Sequence, residues 1–292
     1  GGAQSQVEGK CFQKPHDAPL RPSRKMDAMI PAMCLIVFAL NPDAHYRFVL
    51  VANRDEFHQR PTSAMHWWSE QGPLAGRDEK SGGTWLGIMP DGRVSAVTNY
   101  RAPQLPAAPR SRGQLPLELL SAESMPGAAT QIHETQKHYG AFNLIGYDGE
   151  AAHCISSEAT EGFVTLRDGI HGISNHLLDT PWPKLQLGRH WLDEILDGTI
   201  TPPADLHDEL IRRFGDTAPA PDPELPDTGV GLELERALSP VFIHGSHYGT
   251  RATTVVSITH DGAAEVTEKT YGPNGAEGGL RHFRFDTLSA QS

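Results

Sequence analysis

The sequence predicts an α+β fold, antiparallel sheets with helices segregated from the strands. Three observations lead there: apolar segments recur in pairs across tight-turn signals, amphipathic stretches form separate blocks between those pairs, and no solenoid or propeller repeat interrupts the order.

The first pair, Cys34–Leu40 and Tyr46–Ala52, flanks Asn41-Pro42-Asp43, residues that favour turns because they fix or bend the backbone locally. It reads as a hairpin near the middle of a sheet. Gly83–Met89 and Arg93–Asn99 surround Pro90-Asp91-Gly92 and form a second hairpin. Phe142–Tyr147 and Ala151–Ile155 meet at Asp148-Gly149 and form a third. Asp168-Gly169 then turns into Ile170–Ser174. Near the end, Arg251–His260 and Ala263–Thr270 pair across Asp261-Gly262, and Arg281–Phe285 adds a last strand. Helices are expected over Gln114–Leu120, starting near Pro116, and over Gly127–Tyr139, Pro183–Leu196 and Ala204–Phe214. In Pro183–Leu196, Leu185, Trp191, Leu192, Ile195 and Leu196 fall near one face at helical spacing. The Pro/Arg-rich Ala102–Arg112 and the Pro/Asp-rich Asp216–Gly231 read as loops.

Composition bounds the function. Of 292 residues, 38% are hydrophobic and 21% charged, the balance of a globular chain able to bury a core. A net charge of −11 argues against a nucleic-acid partner and against docking on an anionic membrane, since both need a cationic surface. No apolar run is long enough to span a bilayer. Cys11, Cys34 and Cys154 make neither a complete disulfide framework nor paired zinc-ligand spacings, which suits a reducing, cytoplasmic compartment. Residues 1–32, rich in Gly, Pro, Gln and basic residues and without periodic apolar pattern, are expected to be a disordered or mis-called N-terminal extension. Met26, Met29 and Met33 are each candidate starts, and Met33 directly precedes Cys34. Residues 33–292 are expected to form a single domain. There is no GxGxxG, Walker loop, GxSxG elbow or HExxH helix, so the common nucleotide, α/β-hydrolase and zinc-protease readings lack support.

Val51-Ala52-Asn53-Arg54-Asp55-Glu56-Phe57 contains the tetrapeptide that names the Asn-Arg-Asp-Glu (NRDE) family, the group that includes the eukaryotic transport-and-Golgi-organisation proteins. Further blocks match in the same order: Met33-Cys34-Leu35-Ile36, Gly82-Gly83-Thr84-Trp85-Leu86-Gly87, Thr98-Asn99-Tyr100, Phe142-Asn143-Leu144-Ile145, Gly172-Ile173-Ser174-Asn175, Thr180-Pro181-Trp182, and Tyr248-Gly249-Thr250-Arg251 with Thr253-Thr254. The chain resembles this family from residue 33 to about residue 286. The resemblance implies an αββα four-layer sandwich of the N-terminal-nucleophile (Ntn) hydrolase type, two antiparallel sheets flanked by helices. Met-Cys followed by Arg-Asp at the next strand's end is similar to the choloylglycine-hydrolase branch, whose enzymes cleave amide bonds. The eukaryotic relatives are associated with Golgi organisation and secretion, haem mobilisation and lipid homeostasis.

On this pattern Cys34 is the candidate nucleophile. Exposed as the first residue, it would carry an α-amino group with a reference pKa of ~8 that can take the proton of its own thiol; its alternative is a buried structural cysteine. Arg54 would favour the thiolate and Asp55 would orient the α-ammonium group, unless both are an ion pair at a strand end. Asn99 and Asn175, at strand ends, would donate to a developing oxyanion, or serve as turn formers. Arg251 would bind a substrate carboxylate or complete the site, or be a sheet-edge charge. Gly82-Gly83-Thr84-Trp85 reads as a close backbone approach with Trp85 in the core. His244-Gly245-Ser246-His247 reads as a loop pair, because no third ligand lies at suitable spacing, and no metal is expected. The leading expectation is a cofactor-independent cysteine amidohydrolase acting on a small amide substrate. Its rivals are a non-catalytic carrier holding haem or an acyl lipid in the same cleft, and a secretion-linked interaction protein whose cleft is vestigial.

Overall fold

Alternation along the first two strands sets the architecture. In β1 (Met33–Leu40), Ile36, Phe38 and Leu40 face one side of the sheet, and Leu35, Val37 and Ala39 face the other. In β2 (Tyr46–Phe57), Phe48, Leu50 and Ala52 share the first side, and Val49 and Val51 the second. Both faces are apolar, so each must be covered. The computed structural model describes residues 33–101, 108–198 and 206–287, all within one compact unit. The expectation for residues 1–32 lies outside the described residues.

The first sheet has 6 strands in the order β10-β1-β2-β11-β12-β13, where β10 is Gly169–Ile173, β11 Tyr248–Thr259, β12 Ala263–Tyr271 and β13 Glu277–Asp286. The second has 7 strands running consecutively from β3 to β9: Thr62–Trp67, Leu74–Asp78, Leu86–Ile88, Val94–Asn99, Phe142–Tyr147, Ala152–Ser156 and Phe163–Thr165. Every named pairing is antiparallel. The turn between β1 and β2 closes because Asp43 Oδ1 accepts from the backbone N–H groups of His45 and Tyr46, at 2.7 Å each.

Three apolar clusters place the layers. Phe38, Phe48 and Leu50 of the first sheet pack against Leu74, Ile88, Ile145 and Tyr147 of the second, and the Phe48 and Tyr147 rings stack at 4.4 Å. Helices α3 (Pro183–Leu196) and α4 (Leu206–Arg213) cover the outer face of the first sheet through Leu185, Leu192, Leu210 and Phe214. Helices α1 (Leu115–Leu120) and α2 (Met125–Thr135) cover the second through Leu115, Leu119, Met125 and Ile132. The result is the expected αββα sandwich. A short α5 (Leu232–Ala237) lies between α4 and β11. No helix among the described residues is long and apolar enough to cross a membrane.

Several boundaries differ from the sequence reading. β2 continues five residues past Ala52, so Arg54 and Asp55 lie inside a central strand and not beyond it. β5 is confined to Leu86–Ile88, because Gly83 and Thr84 depart to meet another loop. The Thr84 N–H donates to Gly113 O at 2.9 Å, and a Cβ on Gly83 would sit 2.3 Å from the same carbonyl. β10 ends at Ile173, before Asn175, and β11 begins at Tyr248, before Arg251. β3, β4, β9 and α5 carry no clear periodic signal. They are short, and Gly76 in β4 is needed because a Cβ there would lie 2.1 Å from the Trp85 ring.

The Gly83–Gly113 contact yields a paired prediction. Gly83→Ala should lower stability by roughly 1–3 kcal/mol through overpacking against backbone. Gly82→Ala, where φ is +75° with open space around the added carbon, should cost about 1–2 kcal/mol through backbone strain alone. Urea unfolding checks both, and an unchanged midpoint for Gly83→Ala would contradict the close approach.

Candidate active site

The β1–β2 register sets Cys34 opposite Arg54 and Met33 opposite Asp55. Strand alternation then sends the Cys34 and Arg54 side chains to the inter-sheet face, and that of Asp55 to the face under the helices. The surroundings agree. Arg54 lies over the Trp85 ring at 4.3 Å, while Asn53, on the Asp55 side, donates to the carbonyls of Phe214 at 2.9 Å and Val241 at 2.8 Å.

On the inter-sheet side Cys34 is 8% exposed. Burial first, then the Asp55 carboxylate, push its pKa up to about 12, while Arg54 and the Asp55 backbone N–H pull it down. With Met33 attached, Cys34 is therefore a protonated thiol at neutral pH. The charged groups acting on it among the described residues are Asp55, Arg54, Glu56, Arg112 and Lys184, none of them a histidine. Arg54 Nη2 stands 3.8 Å from Glu56 Oε2 and 3.9 Å from Asp78 Oδ2, and Arg60 binds the same Asp78 oxygen at 2.6 Å. Hydrogen bonds from Arg60 and the Ser81 N–H hold the Asp78 carboxyl below its usual range against the cost of its burial.

On the helix side, Asp55 Oδ1 accepts from Thr250 Oγ1 at 2.6 Å, and Oδ2 has no hydrogen-bond partner among the described residues. Burial raises its pKa, opposed mainly by the charge of Lys184. Lys184 opens α3, is 4% exposed, and donates to Leu238 O at 3.2 Å. Its pKa is lowered by burial and raised again by Asp55. Beside it Arg101 Nη1 and Glu235 Oε2 form a buried pair at 2.6 Å.

The two asparagines meet. Asn175 Nδ2 donates to the Asn99 carbonyl at 2.9 Å, and the Arg101 N–H donates back to Asn175 O at 2.7 Å. Ser174 Oγ donates to Cys34 O at 3.1 Å, which ties this crossing to the start of β1. Asn175 thus stitches one sheet to the other beside Cys34. Arg251 is the extra residue of a bulge, since Thr250 pairs with Asp55 and Ala252 with Arg54. Its Nη1 donates to the carbonyls of Phe57 and Arg60 and to Thr62 Oγ1, clamping the turn after β2. All six sequence candidates therefore fall in one region, Asp55 on the far side of the sheet from the thiol.

Sequence reasoning missed Lys184, Arg101, Glu235, Arg60, Asp78 and Arg112. Lys184 had a signal, a cation four residues before Gly188 and eight before Leu192 on the buried face of an amphipathic helix. The others lie in turns, a short strand or helices of one or two turns, too short for periodicity to mark a buried charge. Among the described residues no group of three or more His, Cys, Asp or Glu side chains is placed to hold a metal ion.

The Asp55–Lys184 arrangement predicts non-additive energetics. Asp55→Asn or Lys184→Met alone should each destabilise the protein by roughly 3–5 kcal/mol, because the remaining partner stays buried without its counter-charge. The double variant should lose clearly less than the sum, as measured by denaturant unfolding, whereas simple additivity would mean the two do not interact.

Residues 33–273 match the family described as Transport and Golgi organisation 2. The Transport and Golgi organization protein 2 homolog of Bos taurus is 34% identical over 257 residues, covering 81% of this chain and 92% of the relative. The Homo sapiens homolog is 34% identical over 259 residues with the same coverage. The Drosophila melanogaster protein is 25% identical over 269 residues, covering 82% and 92%. Among solved structures, a mutant conjugated bile acid hydrolase from Clostridium perfringens aligns over 88% of this chain and 92% of its own, at 10% identity and a TM-score of 0.40. By sequence, over nearly all of its described length, the chain belongs to the Transport and Golgi organisation 2 family.

Proposed function

We propose that this protein is an N-terminal-cysteine amidohydrolase that becomes competent once Cys34 is the first residue. One observation carries the reading: Cys34 is paired across the sheet with buried Arg54, and the described groups acting on its thiol include no histidine that would serve as base. The missing base is the α-amino group that a free Cys34 would supply. That amine takes the thiol proton, and the thiolate attacks the substrate carbonyl carbon. The C–N bond breaks as the α-ammonium returns the proton to the leaving amine, and water hydrolyses the thioester. Arg54 favours the thiolate. Asp55 holds the α-ammonium from the far side of the strand, with its charge balanced by Lys184. The Asn99 amide is assigned to the oxyanion, and Asn175 fixes the strand end that carries it.

Alkylation by iodoacetamide at pH 7 tests this, with Cys154 as an internal reference. Cys154 is also buried, and burial pushes its thiol up to about 12. With Met33 attached, both thiols should react slowly. In protein beginning at Cys34, that thiol should outpace Cys154 by roughly a hundredfold or more, since reactivity follows the thiolate fraction. Arg54→Met should move the midpoint of the Cys34 rate–pH profile upward, because loss of the cation raises the thiol pKa, with circular dichroism confirming the fold. A freed Cys34 that reacts no faster than Cys154, with a profile unmoved by Arg54→Met, would leave the cleft to the carrier role for haem or an acyl lipid.

A further inference from the structure

Arg54 is an unusual buried cation. It is 6% exposed, yet it donates no hydrogen bond to any described residue. The neighbouring carboxylate oxygens stand 3.8 and 3.9 Å from Nη2, beyond hydrogen-bond reach, and Nη1 is buried without a partner. Desolvating a guanidinium this way is costly unless something accepts from it. Three more arginines converge here. Arg60 binds Asp78 at 2.6 Å and lies 3.6 Å from Glu56. Arg251 clamps the carbonyls of Phe57 and Arg60 while its Nε is buried and unpartnered. Arg112 donates Nη1 to Ala141 O at 3.1 Å and lies within electrostatic range of Cys34, Glu56 and Arg60.

The charges do not balance. Glu56 and Asp78 face four guanidinium groups. Asp55 is matched by Lys184 across the sheet, and Arg101 by Glu235. Glu268, also in range of Arg54, is buried between the sheets; burial shifts it toward its neutral acid form, and its Oε1 already accepts the Met65 N–H at 2.6 Å. A Cys34 thiolate would offset one surplus charge and leave another.

We propose that the arginine cluster around Arg54, with Arg112 and Arg251, binds an oxyanion, a carboxylate or phosphate carried by the molecule that enters the Cys34 site. Assigning that group to the substrate rests on the amidohydrolase reading, whereas oxyanion binding itself does not, and the test separates the two. Thermal unfolding of the full chain, and of Cys34→Ala, is followed while KCl is replaced by inorganic phosphate or by acetate at constant ionic strength. A ligand that binds the native state alone raises the midpoint in a saturable, concentration-dependent way. Saturable stabilisation in both proteins is expected, from phosphate if the natural group is a phosphate and from acetate if it is a carboxylate. Arg112→Gln should weaken the apparent affinity roughly tenfold or more through loss of a charge-assisted contact. Arg54→Gln should abolish it, and Arg93→Gln, remote and paired with Asp91, should leave it intact. Equal responses to phosphate, acetate and chloride would overturn the proposal. So would saturable binding unchanged in Arg112→Gln, and that result counts even if Arg54→Gln fails to fold.

Discussion

The pairing of β1 with β2 is the constraint on which the rest of the site depends. Two apolar faces fix its register, because a one-residue slip of β1 against β2 would send Phe38 under the helices and Val37 between the sheets. Once the register is fixed, Cys34 must lie opposite Arg54, and Asp55 must face away from both. The Asn-Arg-Asp-Glu run thus divides its alternation between two environments: Arg54 and Glu56 between the sheets, Asn53 and Asp55 beneath α3 and its neighbours.

The helix-side residues are held firmly. Asn53 donates to two carbonyls and accepts from Thr253 Oγ1 at 2.7 Å, and Asp55 is anchored by Thr250. The inter-sheet residues are held loosely, with Arg54 restrained by long ion pairs and a ring. Among the described residues, the inter-sheet face keeps buried donors without acceptors, Arg54 Nη1 and Arg251 Nε. The buried pair formed by Arg101 and Glu235 and the Asp55–Lys184 arrangement cost desolvation, which apolar replacements would avoid. They are explicable as fixed charges that orient one another, and hence the strand that carries Cys34.

Much of the fold was legible in the sequence because its hairpins carry turn residues whose backbone preferences are local. Asn41-Pro42-Asp43, Asp148-Gly149 and Asp261-Gly262 each mark a turn between paired strands. The αββα layering came from the family resemblance, and the clusters on each sheet face then account for it. Cys34, Arg54, Asp55, Asn99, Asn175 and Arg251 were legible as one region through ordered motif blocks. Their orientation was not, because it depends on how far β2 runs. Reading the strand as ending at Ala52 hid the alternation that divides Arg54 from Asp55. Lys184 and Arg112 were obscured because partners from distant segments, not local pattern, determine what a buried cation does.

The proposed chemistry requires Cys34 to be the first residue of the working protein. Intact mass and N-terminal sequencing of the active species, expressed from its own gene, decide this. A chain beginning at Cys34 is expected. An active form that retains Met33 or anything before it would rule out the amine as base, because a peptide nitrogen cannot take the thiol proton.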